Sequence, residues 1–94
     1  MQNLSQLRRQ IDRLDNRIVA LLNRRLKLAE RVGDFKALND GRVYDRRRER
    51  ELMARLSARH RGPLQDKELR EIYRHIFRAS REHQRRVLKT PGIS

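Results

Sequence analysis

From Leu4 to Lys36, positions 4, 8, 11, 15, 18, 22, 25, 29, 32 and 36 recur at steps of four and three. That spacing is one face of a long α-helix. The face reads Leu4, Arg8, Ile11, Asp15, Ile18, Leu22, Arg25, Ala29, Val32, Lys36, an apolar stripe broken by three cations and a carboxylate. Removing a cation from water is costly unless an anion meets it. Either these cations snorkel to solvent from a coiled-coil seam, or they converge on a buried anion.

The pattern predicts three helices. The first runs from about Leu4 to Leu38, with no proline inside and its one glycine, Gly33, near the end. Asn39-Asp40-Gly41 is its stop signal. At about 1.5 Å per residue this rod is roughly 50 Å long. The rest of the chain is too short to cover it, so it is expected to pack against a partner chain, most simply in a symmetric homodimer. The second helix starts near Asp45, a plausible N-cap, and runs to about Arg59; Leu52 and Leu56 form its apolar face, with Met53 alongside. Arg61-Gly62-Pro63 ends it. The third opens at Asp66 and runs to about Leu88. Its inward stripe is Leu69, Tyr73, Ile76, Ser80, Gln84 and Val87, with two polar residues where apolar ones are expected. Residues 1–88 thus read as one all-α helical domain. Lys89 to Ser94, with Pro91-Gly92, reads as a flexible tail or linker.

With 94 residues and 36% hydrophobic content, the chain has room for one domain with a narrow core. Cysteine is absent, which excludes disulfides and thiolate metal sites. Met1 to Asp12 is polar and unlike a signal peptide, and no stretch approaches the roughly 20 apolar residues of a membrane span. The default expectation is a soluble cytoplasmic protein. The net charge is +13, carried by 21 Arg and 4 Lys. That balance suggests an anionic partner, either nucleic acid or a small polyanion, or nothing specific. The four aromatics, Phe35, Tyr44, Tyr73 and Phe77, are not interleaved with basic residues as a base-stacking platform would be.

Candidate chemistry lies on the inward faces: Arg8, Arg25, Lys36, Ser80 and Gln84, joined by Asp45, Arg48 and Glu49 from the first turn of the second helix. Ligand sites of helical bundles are built this way. Arg25 and Lys36 stand three turns apart, nearly in line, about 16 Å at the backbone, and their long side chains can grip one small molecule. Arg8 lies about 25 Å from Arg25 along the axis, beyond reach of the same ligand, which suggests a site completed in trans. No Ser–His–Asp arrangement is evident: Ser80 and His83 are three apart, but nothing obvious orients the imidazole. His60, His75 and His83 lack metal-ligand spacing, and no glycine-rich phosphate loop is present. What remains suits a small dicarboxylate stabilised electrostatically, with no cofactor, no metal and no covalent step.

Across roughly Leu4 to Gln84 the chain resembles the all-helical class of chorismate mutases. The matching segments are Leu7-Arg8-Arg9-Gln10-Ile11-Asp12, Leu14-Asp15, Leu21-Leu22-Asn23-Arg24-Arg25, Val32-Gly33-Asp34-Phe35-Lys36, Val43-Tyr44-Asp45, Arg48-Glu49 and Ser80-Arg81-Glu82-His83-Gln84. Each is weak alone; in order and at these separations they are strong together. The resemblance implies an intertwined homodimer that shares a long first helix and rearranges chorismate to prephenate. It implies that Arg25, with Arg8 of the other chain, holds the two substrate carboxylates, assisted by Ser80. Lys36 and Gln84 would donate hydrogen bonds to the ether oxygen, Arg48 would support the anion-binding end, and Asp45 and Glu49 would bind or orient the ring hydroxyl.

The chain departs from the pattern in lacking the proline often found after the aspartate, at Asp45-Arg46-Arg47-Arg48, and in its arginine content. Gly62-Pro63-Leu64 resembles the turn of mutase domains fused to prephenate dehydratase. A sister activity on this fold removes pyruvate from isochorismate; Asp45, Glu49 and Ser80 favour the mutase. Plainer readings stand beside these. Arg9, Arg13, Arg17, Arg24 and Arg31 read as solvated surface, as do Arg46, Arg47 and Arg50. Asp45 can be only a cap, Glu49 can pair with an arginine, Ser80 and Gln84 can fix register, and Asp15 reads as a structural partner for an arginine. The rivals are a basic helical dimer binding nucleic acid, with cations on an outer face, and an assembly module on the same fold without activity.

Overall fold

The computed structural model describes residues 1–39 and 45–88, with side chains at all of these except 36–39 and 88. Three helices account for them: α1 (Leu4–Asn39), α2 (Arg46–Arg59) and α3 (Asp66–Leu88). There is no strand among the described residues, as the periodicity requires. The Asp40-Gly41 part of the stop signal and the expected tail from Lys89 lie outside the described residues.

Each helix start has a local cause. At α1 the backbone N–H of Gln6 donates to Asn3 Oδ1, and that of Asn3 donates back to Gln6 Oε1, both at 2.9 Å. This reciprocal capping box satisfies two otherwise orphaned donors. At α2 the expected cap forms without the missing proline: the N–H of Arg48 donates to Asp45 Oδ1 at 3.0 Å. At α3 the capping position is Gln65, whose N–H donates to Glu68 Oε1 at 3.1 Å. Asp66 sits one residue inside. The α2–α3 turn passes through Gly62 at φ 117°, a left-handed conformation that a Cβ would strain.

Helix α3 packs against both α1 and α2, which do not pack on each other. The core is narrow, as the composition requires: Ala29, Met53, Leu69 and Phe77 are its buried apolar residues. Met53 is buried, whereas Leu52 and Leu56 are only half-buried. Phe77, one position past the expected Ile76, meets Tyr73 edge-on at 5.7 Å. Small residues set the α1–α3 approach. A Cβ on Gly33 would lie 3.4 Å from Gln84 Cγ, so the α3 side chain rests against bare backbone.

The molecule measures 56 × 32 × 15 Å, a flat plate whose long edge is α1. Among the described side chains of α1, only one face between Arg25 and Gly33 is covered. Every residue from Met1 to Arg24 is exposed, including Leu4 at 60%, Ile11 at 55% and Ile18 at 53%. Part of the arginine surplus is helix surface, with Arg47–Glu51 and Arg78–Glu82 pairing along exposed faces; such pairs contribute little. No helix among the described residues is long and apolar enough to cross a membrane.

One polar knot fixes the α2–α3 corner. Asp66 accepts from the Ser57 hydroxyl on α2 and, at 2.7 Å, from Arg70 Nε one turn along α3. The hydroxyl bond and the guanidinium hold its carboxyl below the ordinary value of 3.8. A carboxylate more acidic in the folded chain adds stability above its unfolded pKa and loses it as pH falls through the folded one. Asp66→Asn is therefore expected to melt at a lower temperature than wild type at neutral pH. The two melting curves should converge as pH drops below 3.8. Coincident melts at neutral pH would show that the knot contributes nothing.

Candidate active site

Where the three helices meet, they enclose a cavity of about 270 Å³ that is open on one side. Helix α1 lines it with Arg25, Leu28, Ala29 and Val32. The start of α2 adds Asp45, Arg48, Glu49 and Leu52, and α3 adds Phe77, Ser80, Arg81 and Gln84. Six of the eight residues singled out by sequence therefore share one lining: Arg25, Asp45, Arg48, Glu49, Ser80 and Gln84. Lys36 lies on α1 three residues beyond Gly33, and its side chain is outside the described residues. Arg8 lies about 25 Å back along α1 from Arg25 and does not line the cavity.

Arg25 is half-buried, with its guanidinium 5.7 Å from the centre of the Phe77 ring. A cation over an aromatic face is held by the ring quadrupole, so this arginine does not snorkel to bulk water. Gln84 is the one buried polar residue among those described, 6% exposed. Its Nε2 donates to the backbone carbonyl of Ala29 at 2.7 Å. An amide nitrogen carries two N–H groups, so one is committed to α1 and one remains for a ligand.

Asp45 caps α2 as well as lining the cavity, so both readings of it hold together. Glu49 is paired with an arginine, though not on open surface. Arg81 Nη1 lies 2.8 Å from Oε1 and 2.6 Å from Oε2, with both side chains about four-fifths enclosed, 22% and 20% exposed. The lining thus carries Arg25, Arg48 and Arg81 against Asp45 and Glu49, a net positive charge. Arg25 and Arg48 have no carboxylate partner among the described residues.

The imidazole of His83, for which the sequence offered no orienting group, has one. Its Nε2 lies 2.8 Å from Glu30 Oε2 on α1, and Arg86 Nη2 approaches Nδ1 at 3.3 Å. The pair ties α1 to α3 next to the Gln84 bond. His83 does not line the cavity, and Ser80 has no imidazole beside it there among the described residues. Sequence reasoning also passed over Phe77, Gly33 and Arg81. Arg81 lies inside the quoted Ser80–Gln84 segment, four residues after Phe77, and that shared face was the available signal. The set of two cations without carboxylate partners, an amide and a hydroxyl, with a neutralised carboxylate beside them, suits a small anion held by several charge-assisted hydrogen bonds.

The sequence matches the family described as chorismate mutase type II over residues 7–85. It is 36% identical to the bifunctional chorismate mutase/prephenate dehydratase of Aquifex aeolicus (strain VF5), over 84% of this chain and 23% of that protein. The chain therefore spans about a quarter of that relative's length. Among solved structures it is similar to chorismate mutase from Helicobacter pylori in complex with prephenate: 36% identity, TM-score 0.85, with 92% of this chain and 93% of that one covered. It is also similar to the form II chorismate mutase of Thermus thermophilus, at 32% identity and a TM-score of 0.87, covering 90% and 97%.

The Gln84 bond carries a stability prediction independent of any activity. Gln84→Leu keeps the bulk and removes a buried hydrogen bond, which should cost about 1–2 kcal/mol. Urea unfolding at one fixed protein concentration reads it as a lower midpoint with unchanged slope. An unchanged midpoint would show that the bond to Ala29 does not hold the helices together.

Proposed function

The chain belongs to the chorismate mutase type II family, and from that membership we propose that it converts chorismate to prephenate within the cavity between α1, α2 and α3. The observation that carries the reading is the convergence of Arg25, Arg48, Ser80 and Gln84 on one net-positive cavity. Chorismate is a dicarboxylate, and a cavity with two guanidinium groups free of carboxylate partners among the described residues matches its charge.

In this reading Arg25 clamps one carboxylate and Arg8 of the partner subunit clamps the other, with Ser80 assisting and Arg48 supporting the anionic end. Clamping both ends holds a flexible substrate in a near-attack conformer. As the C–O bond breaks, negative charge builds on the ether oxygen. The Lys36 ammonium and the remaining N–H of Gln84 meet that charge, binding the transition state more tightly than the substrate. The Ala29 carbonyl holds the Gln84 amide in place, so little reorganisation accompanies the step. Asp45 and Glu49 receive the ring hydroxyl. Gln84 is a neutral amide rather than a carboxylic acid, so its donation needs no acid pH.

The dimer belongs to the same proposal. An apolar cleft of about 400 Å³ runs beside Val19, Leu22, Leu26 and Ile76. It continues into the exposed stripe of α1, a surface suited to the same stripe of a second copy in an intertwined bundle. We read residues 1–88 as this helical domain and 89–94 as its tail or linker. The nucleic-acid reading rested on the net charge and on the run Arg46 to Arg50, whose arginines do lie on the surface; the family membership favours the mutase over it.

Loss of chorismate absorbance, at neutral pH without added metal and with the product identified, tests the reading. Saturable formation of prephenate is expected; no turnover by a folded protein would overturn it. In the same assay Lys36→Ala should raise the barrier by about 2–4 kcal/mol, seen mainly in kcat. A near-wild-type kcat would remove Lys36 from the ether oxygen.

A further inference from the structure

We propose that Arg81 is a positioning residue of this site: it fixes and neutralises Glu49, so that a carboxylate can line a cavity built for a dianion. The inference rests on the reading of the cavity as the chorismate site and deepens it.

The Glu49–Arg81 contact is the most enclosed ion pair among the described residues. By contrast Arg47–Glu51 is exposed at 85% and 57%. It joins the first turn of α2 to α3, and both side chains line the catalytic cavity. The same two residues also line a wider groove of about 640 Å³ between α2 and α3, so the pair, together with Phe77, stands between the two spaces. For folding alone the arrangement has no advantage, because an enclosed ion pair gains little over a well-packed apolar one. Its value lies in what it does to the cavity.

An unpaired Glu49 would stand against the two carboxylates of the substrate, and in a partly enclosed site that repulsion is poorly screened. The Arg81 guanidinium cancels the charge without removing the acceptor. An ionised carboxylate has about four lone-pair sites. Arg81 takes one on each oxygen, at 2.8 and 2.6 Å. The remaining sites can still accept a hydroxyl proton, and the grip on both oxygens fixes where they stand. Arg81 therefore acts on the substrate through Glu49.

The test compares kcat, KM for chorismate and melting temperature in wild type, Arg81→Met, Arg81→Lys, Glu49→Gln and the double variant Arg81→Met/Glu49→Gln. Arg81→Met should raise KM about tenfold or more while kcat moves less than about threefold, because the exposed charge opposes binding of the dianion. Arg81→Lys should recover most of that loss, since it restores the charge. The double variant should bring KM back toward wild type and well below that of Arg81→Met, because the two positions again carry no net charge. If Arg81→Met does not fold, the double variant and Arg81→Lys carry the comparison: a double-variant KM about tenfold or more above wild type, or an Arg81→Lys KM raised as far, contradicts the proposal. So does an Arg81→Met KM equal to wild type, or one that Glu49→Gln fails to relieve, the pattern of a purely structural arginine. A wild type that does not turn over chorismate overturns the mutase reading and this inference together; an active wild type with any contradicting pattern overturns this inference only.

Discussion

The constraint on which everything else depends is the rigidity of one long helix that the other two described helices cover only in part. Along α1, Arg25 and Ala29 face α3, whereas Met1 to Arg24 face solvent. A helix does not bend back to bring Arg8 to Arg25; about 25 Å of rod keeps them apart. The two parts of α1 therefore stand in different surroundings. The C-terminal third is fixed by its own α3 through Ala29, Gly33 and Gln84. The N-terminal part holds an apolar stripe and Arg8, all exposed among the described residues.

The arginine-rich composition resolves into two populations. One lies along exposed faces, where pairs such as Arg47–Glu51 and Arg78–Glu82 are open to water and contribute little. The other is small and enclosed: Arg25 over Phe77, and Arg81 against Glu49. Only in the second does low solvent exposure leave the charges weakly screened. Nothing in the structure explains why the first population is so large.

The sequence was most legible where the cause is local. Steps of three and four gave the helices, and their ends fall within a residue of expectation because caps such as Asp45 act within one turn. Of the six cavity-lining residues singled out by sequence, Arg25, Ser80 and Gln84 were legible as polar interruptions of apolar stripes, and Asp45, Arg48 and Glu49 as the first turn of α2. The contacts that build the site were not. Gln84–Ala29, His83–Glu30 and Arg81–Glu49 join residues 55, 53 and 32 apart. Periodicity tells which residues share a face; it does not tell which face of another helix arrives there, or at what crossing angle. Phe77 shows the limit within one helix: two neighbouring residues both point near the core, and the pattern selected Ile76.

The central claim is that one cavity is finished by two chains. Mixing inactive Arg8→Ala and Lys36→Ala proteins under conditions that exchange subunits tests it most directly. If Arg8 acts across the dimer, each heterodimer regains one intact site, and random mixing should restore about a quarter of wild-type activity. If activity stays at the level of the separate variants although heterodimers have formed, Arg8 does not complete the partner's cavity and the shared site is wrong.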